Sequence, residues 1–263
     1  MVNAEQARPS LRVLSWNLLR GGTERRLPAI CRTIAKNRPD VILLQEATPE
    51  IITSLANALR FPHIIAPPVS EGVDSVGVIS RYPASGTSYI YDTPASGRAR
   101  PIAMSTVVDL TTWRVVLANV HLSFVSQVWT LGEAGRVPDQ GQLLQIEAQR
   151  RELASIVRHL RNAADNSEAL ILAGDMNFTP SSDLYQFLLS SGLRNASTSP
   201  NCPTAYYPTK LNPLVRPNSP VELVLDYHFY NDKLELAYPS AVDDSAFNAS
   251  DHAALVSEFT WNR

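Results

Sequence analysis

Apolar positions along the chain fall into short runs rich in valine, isoleucine, leucine and aromatic residues, at 11–16, 41–46, 76–80, 104–110, 113–122, 169–173, 221–230 and 254–260. Runs of this length and composition predict β-strands. Helical periodicity fills several of the gaps between them. Residues 23–37 carry Leu27, Ile30 and Ile34 on one face and stop ahead of Pro39, which disfavours helix in the residue before it. Thr48 as N-cap, Pro49 at the first helical position and Glu50 in the first turn start a second helix with the stripe Ile52, Leu55 and Leu59. The longest helix is predicted over 142–162, where Leu143, Ile146, Arg150, Leu153, Val157 and Leu160 keep a three-four spacing. A fourth, over 183–190, ends at Gly192.

Strands and helices mix without strict β-α-β alternation, which argues for an α+β fold of two packed sheets with helices outside. The chain has no internal repeat and no stretch with the composition of an interdomain linker, so a single domain over 11–263 is expected after a flexible segment at 1–10. The least regular stretches, 94–101, 124–141 and 197–220, are rich in Pro, Gly, Ser or Asn. Loops of that length often carry function.

Composition narrows the class. Of 263 residues, 44% are hydrophobic and 18% charged, ordinary globular usage that leaves room for a large core. A net charge of -2 provides no global field toward nucleic acid or acidic lipid, so any basic patch is local. Cys31 and Cys202 are too few for a zinc cluster or a disulfide scaffold, and Cys31 lies on the apolar side of the first helix as a structural thiol. The first ten residues lack the charged and apolar regions of a signal peptide, and no run reaches the roughly 18 apolar residues of a membrane span. A cytoplasmic protein with no stable membrane insertion is the expectation.

Polar residues sit at the carboxyl ends of the apolar runs, where burial alone would not put them. Asn17 follows the first run, Glu46 ends the second, His121 lies near the end of the fifth, and Asp175 and Asn177 follow the sixth. Asp226 lies inside an apolar run, and Asp251 with His252 precedes the last. Each has a plain structural alternative: a turn cap for Asn17 or Asp175, a helix cap for Glu46, an arginine partner for Asp226. As a set, four carboxylates, two asparagines and two histidines suit a hard, oxygen-loving cation, with the imidazoles left for an anionic substrate.

Seven short motifs carry a resemblance. Ser15-Trp16-Asn17, Leu44-Gln45-Glu46, Gly77-Val78-Ile79-Ser80-Arg81-Tyr82-Pro83, Asn119-Val120-His121-Leu122, Gly174-Asp175-Met176-Asn177, Leu225-Asp226-Tyr227 and Ser250-Asp251-His252 resemble, in order, the series of the endonuclease/exonuclease/phosphatase (DNase-like) superfamily. The resemblance implies a four-layer α/β/β/α sandwich, with two central mixed sheets flanked by helices and the active site at one edge. It also implies a Mg²⁺-dependent phosphodiesterase, with Mn²⁺ as a substitute. Glu46 would be the principal metal ligand, helped by Asn17 and Asp251. Asp175 and Asn177 would position the attacking water, His252 would contact the scissile phosphate, and Asp226 would orient His252. His121 would be a phosphate donor or assist the leaving group.

The substrate is less constrained, because relatives with this site cleave DNA, RNA, protein–DNA linkages, sphingomyelin or phosphoinositides. Leu18-Leu19 after the first asparagine, and the His-Leu form of the fourth motif, depart from the abasic-site endonucleases. Trp129, Tyr206, Tyr207 and Lys210 in the long loops offer rings and charge for a nucleic-acid backbone. Arg98 and Arg100, in a loop preceding a strand, offer contacts to a further phosphate. A monomeric nuclease or DNA-end phosphodiesterase is the first expectation. A phospholipid or small-molecule phosphoesterase is the alternative. A catalytically silent binding module is a lesser one, since it would normally have lost one of these residues.

Overall fold

The computed structural model describes residues 9–21, 24–69, 73–92, 100–125, 139–164, 168–197, 201–205, 212–215, 222–245 and 248–262. In chain order the elements are β1 (Ser10–Gly21), α1 (Leu27–Asn37), β2 (Val41–Ala47), α2 (Pro49–Leu59), β3 (His63–Ile65), β4 (Ser75–Ser80), β5 (Ala84–Asp92) and β6 (Arg100–Asp109). Then follow β7 (Arg114–His121), α3 (Gln140–Ala163), β8 (Ala169–Asp175), α4 (Asp183–Ser190), β9 (Arg194–Asn195), β10 (Asp226–Tyr230), β11 (Leu234–Asp243) and β12 (Ala254–Trp261). They form two six-stranded mixed sheets, ordered β11-β12-β1-β2-β4-β3 and β5-β6-β7-β8-β10-β9.

The layers follow from which faces are apolar. Leu11, Val13, Val41, Leu43, Val76 and Val78 of the first sheet meet Met104, Val115, Leu117, Ile171 and Ala173 of the second in a core between the sheets. On its outer face the first sheet packs Ile42, Leu44 and Ile79 against Ile30 and Ile34 of α1 and Ile52 and Leu55 of α2. The second sheet likewise packs Val116, Leu170 and Leu172 against Leu153, Ile156 and Leu160 of α3 and Leu184 and Leu188 of α4. These three apolar layers make the expected α/β/β/α sandwich.

Each sheet has one central parallel pair, β1 with β2 and β7 with β8, joined by a crossover helix, α1 or α3. Strand ends at such a place open a crevice at their carboxyl side, the usual site in open α/β sheets. A buried polar bridge fastens the two sheets just below it. Asn119 of β7 donates from Nδ2 to Leu44 O (2.8 Å) and Gly77 O (2.8 Å) of the first sheet, and its Oδ1 accepts from Gln45 Nε2 (2.6 Å).

Some boundaries differ from the sequence expectation. Helix α1 begins at Leu27 rather than at 23, with Arg26 as its N-cap residue and Pro28 in its first turn. Helix α3 begins at Gln140 because Asp139, not a later residue, is the N-cap, closing a capping box with Gln142. The predicted strand at 221–230 is regular only from Asp226, so Asp226 opens β10 instead of lying inside a strand. Leu223, ahead of it, makes an isolated bridge to Ala205. Arg100 is the first residue of β6 rather than part of a loop.

Candidate active site

Four strand ends and two returning loops bring the polar set together. Asn17 is buried near the end of β1, where Nδ2 donates to Glu46 Oε1 (3.0 Å) and to Asp175 Oδ2 (3.0 Å). One amide therefore ties a residue of the first sheet to a carboxylate of each sheet. Its Oδ1 accepts from Leu19 N (2.9 Å), and Arg20 N donates to Glu46 Oε2 (2.7 Å). Leu19, Arg20, Glu46 and Asn177 all adopt positive φ, between 49° and 51°. Non-glycine residues held there cost free energy and cluster at functional sites.

His121, at the end of β7, points Nε2 at Glu46 Oε1 (3.8 Å) and Asp175 Oδ2 (3.7 Å). His252 points Nε2 at the same Asp175 Oδ2 (3.9 Å), while its Nδ1 lies 2.9 Å from Asp226 Oδ2. Asp226 is positioned by the Thr204 hydroxyl, which accepts from both Leu225 N and Asp226 N at 3.0 Å. His252 is fixed from its backbone side as well. Its N–H donates to Ser250 Oγ (3.1 Å), its carbonyl accepts from Trp16 Nε1 (2.8 Å), and the Ser250 hydroxyl donates to Asn17 O (2.6 Å).

Asp175 ends β8 opposite His121 of β7. Gly174 before it has φ 133°, and a Cβ there would fall 2.0 Å from Val120 O. The glycine permits a close backbone approach that sets Asp175 beside His121. Beyond it, Asn177 N donates to Asp175 Oδ1 (2.9 Å), which leaves Oδ2 toward Asn17 and the two histidines.

The electrostatics are uneven across the site. Burial, reinforced by Asp226, pushes the Asp175 carboxyl above its ordinary range against the pull of His252, His121 and Asn17. Burial opposes charge on His252 too, yet Asp226, Asp175 and Asp251 outweigh it and hold the imidazole well above its usual pKa. Burial also works against ionised Glu46, but His121, the Arg20 N–H, Asn17 and His252 together carry it below the usual range. Asp251 is raised by burial and by Glu46 against the pull of His252 and Arg26, and among the described residues its buried Oδ1 has no hydrogen-bond partner.

Asp175, Asp226 and His252 offer ligand atoms within 4.8 Å of one another. That trio is better described as an imidazolium between two carboxylates, because His252 Nδ1 is already engaged by Asp226. The remaining carboxylates are Glu46 and Asp251: Glu46 raises Asp251 against the pull of His252 and Arg26, and Asp251 Oδ1 is buried with no hydrogen-bond partner among the described residues. Glu46, Asp251 and Asn17 carry oxygen donors of the kind a divalent cation takes.

A family model, described as the endonuclease/exonuclease/phosphatase family, matches residues 14–252. The chain belongs to that family. Its members are hydrolytic phosphoesterases, and this protein is an enzyme of that class. No curated protein matches the chain by sequence. Among solved structures, an endonuclease/exonuclease/phosphatase from Beutenbergia cavernae DSM 12333 superposes with a TM-score of 0.74 at 19% identity, covering 97% of this chain and 72% of that one. The human Nocturnin catalytic domain with bound sulfate anion gives 0.66 at 20% identity, covering 97% and 96%. A humanized D. rerio TDP2 gives 0.67 at 17% identity, covering 95% and 99%. These likenesses bear on the fold.

All eight residues expected from the strand ends, Asn17, Glu46, His121, Asp175, Asn177, Asp226, Asp251 and His252, lie at this one edge of the sandwich. Arg98, Trp129, Tyr206, Tyr207 and Lys210 fall outside the described residues, and so does the side chain of Arg100. The sequence reading missed Thr204 and Arg26. Arg26 donates to Leu18 O (2.9 Å), Leu19 O (2.5 Å) and Ala249 O (2.7 Å), joining the end of β1 to the loop that carries Asp251. Its place at a helix start, one residue before the apolar stripe, gives no sequence signal for that task.

Proposed function

We propose that the protein is a Mg²⁺-dependent phosphodiesterase acting on nucleic acid, with Mn²⁺ as a substitute. One observation carries the reading: a buried carboxylate oxygen, Asp175 Oδ2, faces Asn17 at 3.0 Å and two imidazoles at 3.7 and 3.9 Å. A phosphodiester resists attack because its oxygens are anionic. A site that hydrolyses it needs donors for those oxygens beside a base for water.

Glu46, Asp251 and Asn17 are the residues that would hold the cation, which when bound would neutralise charge on the phosphate. His252, kept protonated by Asp226, donates from Nε2 to a non-bridging oxygen. His121 donates to a second. Asp175, with its pKa raised toward the range of a useful base, accepts a proton from the attacking water. Asn177 holds the other Asp175 oxygen, so the accepting lone pair keeps one direction. The water oxygen forms the new bond to phosphorus, the bond to the leaving oxygen breaks, and solvent protonates the departing alkoxide.

Nucleic acid is favoured by Phe124, an aromatic residue three positions after His121 and 44% exposed. Arg20, exposed beside Glu46, adds charge for a backbone phosphate. A second reading, a phospholipid phosphodiesterase, is favoured by Leu143 and Leu144, 53% and 66% exposed at the start of α3. Nicked, single-stranded and 5′-tyrosyl DNA, RNA and sphingomyelin vesicles separate the two. Mg²⁺-dependent cleavage of a nucleic acid, absent in Glu46→Gln, is the expected result. Turnover of vesicles alone would transfer the protein to the second reading, and turnover of none would overturn both.

A further inference from the structure

We propose that Gln149 and Glu152 of α3 are positioning residues, which lock the loops carrying His121 and Asp175 into register; the inference rests on the catalytic reading above. The buried face of α3 is otherwise aliphatic, with Leu153, Ile156, Val157 and Leu160 packed on the second sheet. Gln149 (3% exposed) and Glu152 (9% exposed) interrupt it one turn nearer the site. Burying an amide and a carboxylate is unfavourable unless both are fully bonded, so a face that served packing alone would be apolar there.

Both bond the two site loops. Gln149 Nε2 donates to Ser123 O (3.1 Å), Met176 O (3.2 Å) and Asn177 O (3.0 Å), so two amide hydrogens are shared over three carbonyls. Glu152 accepts from Ser123 N at Oε2 (2.9 Å) and from the Ser123 hydroxyl at Oε1 (2.5 Å). The loops are also bonded to each other, Asn177 Nδ2 to Leu122 O (2.9 Å) and Leu122 N to Asp175 O (3.1 Å). The carbonyl that Gln149 holds belongs to Asn177, whose φ is 50° and whose own N–H holds Asp175 Oδ1. The amide thus stabilises a strained residue, and that residue aims Asp175. Without it Asn177 relaxes toward ordinary φ and Asp175 loses its direction toward water.

Gln149 bonds carbonyls of the loops and not Glu46, Asn17 or Asp251, and Asn17 meets the clamped loops through Asp175 Oδ2, so calorimetry separates its effect from cation binding. The test measures kcat and KM on a cleaved phosphodiester, binding of Mn²⁺ alone by calorimetry, and thermal unfolding, for the wild type, Gln149→Met, Gln149→Glu, Glu152→Gln, Glu152→Met and Glu46→Gln. Misplacement by about 1 Å can cost on the order of 100-fold in rate. Gln149→Met and Glu152→Met are therefore expected to lower kcat by about 10- to 100-fold, with KM and Mn²⁺ affinity within about threefold of wild type. Gln149→Glu, which keeps the shape but turns oxygens toward three carbonyls, behaves like Gln149→Met. Glu152→Gln keeps an acceptor for Ser123 and stays within about threefold of wild type. Folded Gln149→Met with near-normal kcat overturns the inference, and so does a loss shared equally by kcat, KM and Mn²⁺ affinity. Full activity in Glu46→Gln would instead overturn the catalytic reading itself.

Discussion

Asn119→Ala tests whether the site depends on a polar bridge between sheets. Asn119 is fully buried, and its amide satisfies Leu44 O and Gly77 O while accepting from Gln45 Nε2. Alanine leaves both carbonyls without that donor in a dry interior, each at about 1–3 kcal/mol. Gln45 keeps weaker contacts to Ser15 Oγ (3.2 Å) and Leu43 O (3.3 Å), so its loss is smaller. For the two carbonyls the sum is about 2–6 kcal/mol, a large share of the roughly 5–15 kcal/mol that holds a domain together. Asn119→Asp is expected to be worse although it is isosteric, because it replaces two donated hydrogens by a carboxylate oxygen facing two carbonyls. Urea unfolding of metal-free protein, followed by the fluorescence of its four tryptophans, measures both. A loss under about 1 kcal/mol in Asn119→Ala, or Asn119→Asp more stable than Asn119→Ala, would refute the bridge as a structural element.

Three further outcomes follow from single residues. His228 is fully buried, its Nδ1 2.7 Å from Ser257 Oγ, and burial lowers its pKa to about 3. The unfolded chain takes up a proton there below about pH 6.5 while the folded one does not, so stability falls as pH drops from 6.5 toward 3, by about 1.4 kcal/mol per unit. His228→Asn flattens that part of the stability–pH curve, and an unchanged slope between pH 6 and 4 would contradict the assignment. Gly174→Ala, with a Cβ 2.0 Å from Val120 O, costs at least about 3 kcal/mol, whereas Gly192→Ala, with nothing within 4 Å, costs about 1 kcal/mol; comparable losses in thermal unfolding would argue against the close β7–β8 approach. Arg26→Met is expected to weaken Mn²⁺ binding about tenfold by freeing the end of β1 and the loop before Asp251, and tighter binding by calorimetry would show that the guanidinium's charge outweighs its bracing.

The sequence pattern recovered the interior of both sheets and not their edges. The eight apolar runs correspond to β1, β2, β4, β6, β7, β8, β10 and β12, each hydrogen-bonded on both sides. The four strands without such a run, β3, β5, β9 and β11, are the four sheet edges. Edge strands are short, irregular or half solvated, as Leu234–Asp243 is with half its residues exposed and its register shifts, so they lack the signal of a buried strand. Catalytic candidates were legible for the opposite reason. Charged and amide groups at the ends of buried runs have no packing role, so Glu46, Asp175 and His121 stand out against their apolar neighbours. Gln45 and Asn119 stood in the same motifs, but their task of fastening the sheets becomes visible only when β2 faces β7. Thr204, Arg26, Gln149 and Glu152 act through partners 7 to 223 positions away, a relation no local pattern encodes.

The measurement closest to the central claim is hydrolysis of bis(p-nitrophenyl) phosphate with and without Mg²⁺, by the wild type, Glu46→Gln, Asp175→Asn and His252→Ala, each checked for folding by circular dichroism. Removing the base or the phosphate donor is expected to lower kcat by about 10²–10⁴-fold, and removing Glu46 or Mg²⁺ to abolish turnover, with all variants folded. Wild-type rates in folded Asp175→Asn, or equal turnover after the cation is chelated, would contradict the account.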